Sequence, residues 1–280
     1  MFDLTAIVRA LGDVARRFDI DLLDTCDSTN AALLARAEGG APSGTALVAE
    51  RQTAGRGRRG RSWIAAPGDS LTFSLLWRFA PETSLAGLSL AVGLAVANAL
   101  DKVPPAASNE SGCASEDTDC RRRVVGSPGT APIRLKWPND LLKDDRKLGG
   151  ILVELVPGTP HAAVIGIGLN LRLPAGMPEE LRAHSAALDG DPDPNALLAA
   201  ILAELLAALE TFAAHGFAAL RPGWAARHAY ENAPVRLLSD FTPPREGICR
   251  GVDVDGALLF ETDGRIERVL SGEVSLRPAT

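Results

Sequence analysis

A chain of 280 residues that is 46% hydrophobic and 23% charged has the composition of a soluble globular protein, with room for a main domain and a small appendage. Its 29 Lys and Arg against 35 Asp and Glu give a formal charge of −6, without the basic footprint of a nucleic-acid-binding protein. Four cysteines with no Cys-x-x-Cys pair and four scattered histidines argue against a disulfide framework, a zinc ribbon and a His-Glu-x-x-His metalloenzyme.

The N-terminal residues lack the basic start, apolar core and cleavage site of a signal peptide. The longest uncharged apolar stretch, Ser84 to Leu100, is shorter than the roughly 20 residues that span a bilayer. A cytoplasmic protein without a membrane span is expected. Residues 3–18 carry apolar positions at helical spacing, and the first strand is expected near Ile20, which leaves too little chain for a helix-turn-helix ahead of it. Asp27-Ser28-Thr29-Asn30 precedes good helix formers at Ala31–Ala37, and one of its short polar side chains is expected to cap that helix.

Thr45–Glu50 and Ser70–Trp77 read as strands around a Gly/Arg-rich loop, and Leu85–Leu100 as a buried helix. Between 103 and 132 the composition shifts to Pro, Ser, Gly and acidic residues, which predicts a mobile insertion. Ile133–Lys136, Gly150–Val156 and Ala162–Asn170 read as strands, Asn195–Phe212 as a long helix, and a further helical stretch is expected to reach about Tyr230. Beyond Asn232, short β segments separated by Asp255-Gly256 and Asp263-Gly264 predict a small β-barrel.

In the run Gln52 to Trp63 three glycines alternate with four arginines, so the backbone can approach a ligand closely while guanidinium forks offer donors to phosphate or carboxylate. A solvated basic hairpin loop is the plainer alternative. Gly55 to Gly60 fits Gly-x-Gly-x-x-Gly, but no helix follows, and no Walker motif exists, so neither a Rossmann nor a P-loop site is expected. Lys136-Trp137-Pro138-Asn139-Asp140 reads alone as a turn after a strand. Lys147, ahead of Gly149-Gly150 and a buried strand, reads equally as a cleft lysine or as a flanking gatekeeper.

Together these segments, with Arg146 to Glu154, Gly166 to Asn170 and Ser271 to Arg277, closely resemble in content and order the bacterial biotin protein ligases (biotin–acetyl-CoA-carboxylase ligases), from about residue 20 to 277. The resemblance implies an α/β (α+β) fold: a mixed-sheet catalytic domain over 1–231 and an SH3-like barrel over 232–280. It implies attack of the biotin carboxylate on the α-phosphorus of Mg-ATP, then transfer of biotin from biotinyl-5′-AMP to a lysine of the biotin carboxyl carrier protein.

By the same resemblance, Ser28, Thr29, Asn30 and Gln52 serve the biotin pocket, with Arg56, Gly57 and Arg58 in the loop that folds over the ligand. Lys147 bridges the biotin carboxylate and the α-phosphate as the principal catalytic residue, assisted by Arg58. Arg58, Arg61, Trp63, Lys136, Asn139, Asp140 and Asn170 serve the nucleotide, with Asn170 reaching Mg²⁺ or phosphate through oxygen. No dedicated metal site is expected, since Mg²⁺ comes with ATP. The expected partners are the carrier protein and the two small molecules, without nucleic acid or membrane, in a monomer or weak homodimer. A lipoate-attaching ligase and a non-catalytic biotin sensor or repressor are the competing readings. The 103–132 insertion lies outside the shared motifs.

Overall fold

The computed structural model describes residues 1–103, 132–239, 242–270 and 274–279. The chain starts with α1 (Leu4–Leu11), capped by the Asp3 carboxylate, which accepts from the backbone N–H of Thr5 and Ala6. The helix expected over 3–18 is shorter than its apolar spacing suggests: it ends at Gly12 (φ 58°) and tightens into a 3-10 turn over Gly12–Arg17. There follow β1 (Asp19–Cys26), α2 (Thr29–Glu38), β2 (Thr45–Gln52), β3 (Ser70–Arg78) and α3 (Leu88–Lys102).

The insertion expected at 103–132 lies, apart from its two ends, outside the described residues. Beyond it come β4 (Arg134–Lys136), β5 (Asp140–Lys143), β6 (Arg146–Val156), β7 (Thr159–Asn170), α4 (Glu179–Ala183), α5 (Pro194–His215) and α6 (Arg221–Ala225). The expected helix to Tyr230 is broken into a 3-10 turn over Phe217–Ala219 and the short α6, which ends at Ala225. The strand expected from Gly150 starts four residues earlier, because Asp144 (φ 50°) and Asp145 (φ 57°) form a tight hairpin turn with β5.

These strands make one seven-stranded mixed sheet in the order β1-β2-β3-β7-β6-β5-β4, with β1 and β2 parallel and every other pair antiparallel. Strand alternation divides its faces. Leu71, Phe73 and Leu75 of β3, with Ile165, Ile167 and Leu169 of β7, enter the main core under α3 and α5. The opposite face carries α2, whose Leu33 and Ala37 pack on Leu47, Leu76 and Val164. On that face the residues alternating with the core set are small or polar: Thr72 and Ser74 on β3, Gly166, Gly168 and Asn170 on β7. They leave space beside α2 that larger side chains would fill.

By length and composition α5 is apolar enough to cross a bilayer, yet ten of its residues are buried, among them Leu198, Leu202, Leu205 and Leu209, and it packs on α1 and α3. At about 1.5–3 kcal/mol for each fully buried leucine, this is the burial of a core helix.

After Glu231 the chain forms β8 (Pro234–Ser239), β9 (Arg245–Val252), β10 (Leu258–Thr262), β11 (Arg265–Val269) and β12 (Val274–Pro278), an antiparallel sheet in the order β11-β10-β9-β8-β12. Asp263 (φ 52°) and Gly264 (φ 71°) make the β10–β11 turn that the sequence announced. The core is continuous across both sheets through Val235, Leu237, Phe260 and Leu276. The Trp137 indole N–H donates to Gly256 O (3.1 Å), fastening the small sheet to the turn after β4.

Candidate active site

A cavity of about 640 Å³ opens on the face of the main sheet beside α2, and every residue assigned above to biotin or nucleotide lines it. Its floor is the glycine strip of β7. A Cβ at Gly166 would stand 2.1 Å from Asn30 Oδ1, and one at Gly168 would stand 2.4 Å from Trp63 Cε2, so both side chains rest directly on the strand backbone.

At one end, the α2 N-terminus supplies a buried polar network. Ser28 is the N-cap, its hydroxyl 3.5 Å from Ala31 N, as expected of a capping residue. Gln52 Oε1 accepts from the Thr29 backbone N–H (2.7 Å) and lies 3.2 Å from the Thr29 hydroxyl. Ser74 Oγ lies 2.5 Å from Asn30 Oδ1 and 2.8 Å from Thr29 Oγ1. Asn30 Nδ2 donates to Glu154 Oε2 (2.9 Å) and Leu152 O (3.3 Å). Both partners only accept, which fixes the orientation of the amide.

At the other end the charges converge on Asp140. Its Oδ2 is 2.7 Å from Lys136 Nζ and its Oδ1 is 2.8 Å from Lys147 Nζ. Burial alone would raise the Asp140 carboxyl pKa, but the Lys147 and Lys136 ammonium groups outweigh it and hold the group well below the usual carboxylate range. Burial lowers the Lys136 pKa, with Asp140 opposing and Arg277 and Lys147 assisting. Lys147 also lies 5.8 Å from the Trp63 ring centroid. It is a cleft lysine, not a surface gatekeeper. Its backbone is strapped by the segment after α4: Lys147 N donates to His184 O and Ala186 N donates to Lys147 O, both at 2.8 Å.

The Gly/Arg loop between β2 and β3 closes on itself through Gly57 N to Arg61 O (2.7 Å) and Trp63 N to Gly55 O (2.9 Å). Arg59 (φ 58°) and Gly60 (φ 67°) form its tip. The loop leans on the cavity walls: Arg56 pairs with Glu154 (3.2 Å) and Arg58 donates to Asn139 Oδ1 (3.1 Å). The solvated-hairpin alternative does not describe it. Among the described residues Trp63 Nε1 has no hydrogen-bond partner; it is buried, with the indole pressed on the Gly168 backbone. Asn170 Nδ2 is committed to Ala186 O (2.9 Å) and Lys147 O (3.4 Å), leaving its oxygen as the group with capacity toward a ligand. Lys136-to-Asp140 does form the expected turn, Asn139 N donating to Lys136 O (3.1 Å).

Sequence reasoning gave no role to Ser74, nor to Glu154 and Arg277, which stood only inside quoted motifs. Ser74 and Glu154 sit mid-strand without local signal, and only sheet register brings them to Asn30. Arg277 on β12 carries a cation from the small sheet to the cavity. Of its motif, residues 271–273 lie outside the described residues.

The sequence matches the Biotin/lipoate A/B protein ligase family over residues 22–170 and the Biotin protein ligase C terminal domain over residues 232–277. The chain belongs to the biotin protein ligases. Relatives include the bifunctional ligase/repressor BirA of Escherichia coli, 38% identical over 93% of this chain and 74% of that protein. The biotin--[acetyl-CoA-carboxylase] ligase of Mycobacterium tuberculosis is 34% identical over 91% of this chain and 88% of that protein. A solved biotin protein ligase from Aquifex aeolicus, in complex with biotin and ATP, superposes with a TM-score of 0.73 at 30% identity, covering 93% of this chain and 99% of that one.

Proposed function

We propose that the protein activates biotin with ATP and transfers it to a lysine of the biotin carboxyl carrier protein of acetyl-CoA carboxylase. The observation that carries this reading is Lys147, paired with Asp140 in a cavity that the polar α2 end and the loop arginines also line, in a fold whose relatives are biotin ligases. Two anions must meet for the first step, and a lysine aimed into a cleft lowers their mutual repulsion.

In this reading biotin's ureido group lies toward Ser28, Thr29, Asn30 and Gln52, and its carboxylate toward Lys147 and Arg58. A carboxylate oxygen forms a bond to the α-phosphorus while the bond to the β-phosphate oxygen breaks, and pyrophosphate leaves. Lys147, Arg58 and Arg61 neutralise the charge that gathers on the phosphate oxygens. Trp63, whose ring lines the cavity, together with Lys136, Asn139 and Asp140, holds the nucleotide. In the second step the carrier amine bonds to the acyl carbon, the bond from that carbon to the phosphate oxygen breaks, AMP departs and the amine gives up a proton. Arg56 and Gly57 close the loop over the reactive anhydride and limit its hydrolysis.

Magnesium comes bound to the phosphates. Among the described residues no group of three His, Cys, Asp or Glu could cage a metal, and the Asp140 oxygens are engaged by lysines. Asn170 Oδ1, an acceptor, is the protein oxygen suited to meet the ion, not a phosphate. We place the domain boundary at Glu231/Asn232, where the second family match begins, and the protein in the cytoplasm as a monomer or weak homodimer.

Biotin-dependent exchange of labelled pyrophosphate into ATP tests the first step without any acceptor protein. Exchange with biotin and none with lipoate is expected. Exchange with lipoate alone would redirect the assignment to a lipoate ligase, and none with either acid from folded protein would leave a non-catalytic binder.

A further inference from the structure

We propose that Glu154 is a positioning residue that couples the Gly/Arg loop to the floor of the biotin pocket. It stands mid-strand on β6, opposite Val164 of β7, on the face that carries the cavity. Its two carboxylate oxygens are divided between the two parts of the site. Oε2 accepts from Asn30 Nδ2 at 2.9 Å, and Oε1 pairs with Arg56 Nη2 at 3.2 Å.

The partners differ in freedom. Asn30 is 3% exposed and rests on Gly166, whereas the Arg56 side chain is 52% exposed and rides on the loop. With Nδ2 donating to Glu154 and to Leu152 O, Asn30 has no amide donor left for a ligand. Ser74 takes one lone pair of its oxygen, so what remains for the ureido end is the rest of that oxygen, aimed by Glu154 and Ser74. Loop closure through Arg56 and the setting of this oxygen therefore act through one carboxylate. A ligand that needs both will sense Arg56 through Glu154 although Arg56 lies away from Asn30. This inference rests on the reading that biotin lies between α2 and the loop.

Glu154→Gln changes one atom and keeps the volume. Its amide offers an acceptor to only one partner: with oxygen toward Asn30, its NH₂ opposes the Arg56 guanidinium, donor against donor. The test is a double-mutant cycle of Glu154→Gln and Arg56→Ala in biotin-dependent pyrophosphate exchange, with melting temperatures recorded for each protein. We expect the biotin KM to rise about fivefold to tenfold in each single variant, the exchange kcat to stay within about twofold, and the double variant to be no worse than the weaker-binding single one. Multiplying effects in the double variant, or an equal fall in kcat with KM unchanged, would overturn the coupling. Should Glu154→Gln fail to fold, Arg56→Lys against Arg56→Gln reads the same contact, and equal biotin KM values in those two would overturn it as well. Wild-type protein that shows no biotin-dependent exchange would remove the underlying functional reading, whereas exchange with multiplying effects removes only the role of Glu154.

Discussion

Lys147 and Lys136 share one buried carboxylate, Asp140, whose two oxygens each hold one ammonium group at 2.8 and 2.7 Å. This arrangement places a lysine head group in the cavity ahead of any ligand. The two lysines differ in exposure, 40% for the Lys147 side chain against 8% for Lys136, and that difference separates the variants considered next.

Lys147→Ala is expected to lower pyrophosphate exchange by at least about a hundredfold to a thousandfold, the effect of removing one preorganised charge from a developing phosphate anion. Its melting temperature should stay within a few degrees of wild type, since Lys136 still neutralises Asp140. Normal exchange by the folded variant would refute the catalytic role.

Asp140→Asn is expected to behave in the opposite way toward stability. It strands Lys136 in a buried site without a counter-charge, at a cost of about 3–5 kcal/mol measurable by denaturant unfolding. The folded carboxyl titrates well below its unfolded range, so its contribution is present above about pH 4 and is lost as pH falls below that value. The acid limb of the stability curve should therefore flatten in the variant.

His228 gives a second pH signature at the junction of the two sheets. Its ring is buried, with Nδ1 3.0 Å from Glu231 Oε2 and Nε2 3.8 Å from Cys249 Sγ. Burial pushes the Cys249 thiol up to about 11, so it stays protonated and can donate to Nε2, which leaves Nδ1–H for Glu231. Burial lowers the His228 pKa, with Arg134 assisting and Glu231 opposing. The unfolded histidine then binds its proton first, and stability falls as pH drops below about 6.5, by at most about 1.4 kcal/mol per pH unit. Unfolding curves between pH 8 and 5 should show this slope, and His228→Gln should reduce it.

Gly166→Ala is expected to drive Asn30 off the β7 backbone, since the added carbon would lie 2.1 Å from Oδ1. Overpacking of this kind costs about 1–3 kcal/mol, and here it falls on the biotin end of the cavity. Biotin KM should rise more than ATP KM, and equal changes in the two would contradict the placement of biotin.

Arg58→Gly is expected to shorten the lifetime of the enzyme-bound adenylate about tenfold, because the contact of Arg58 with Asn139 is lost and the loop admits water. Release of AMP and biotin without acceptor protein would report it, and an unchanged lifetime would count against the loop's protective role.

Much of this site was legible before the structure because its groups come in local runs: the cap at Ser28, the Gly/Arg loop and the lysine before Gly149-Gly150 each stand out within a few residues. Strand and helix positions followed from alternation and helical spacing for β3, β7 and α5. The missing parts depend on register between distant segments. Ser74 reaches Asn30 only because β3 pairs with β7 and α2 crosses that face, and Glu154 reaches Arg56 across 98 residues. The β5–β6 hairpin was not read from the sequence, because the charged run Lys143-Asp144-Asp145-Arg146 has no Asn-Gly or Asp-Gly signal and its two left-handed aspartates form the turn. Arg277 was quoted within a motif, but nothing local says that β12 faces a cavity of the other sheet.

The most direct test of the central claim is to mix the protein with biotin and ATP, without acceptor protein, and identify the bound product by mass spectrometry. The account predicts biotinyl-5′-AMP with one pyrophosphate released per adenylate formed, and loss of the adenylate as AMP when the carrier protein is added. Release of ADP and phosphate, or recovery of unchanged biotin from folded protein, would contradict it.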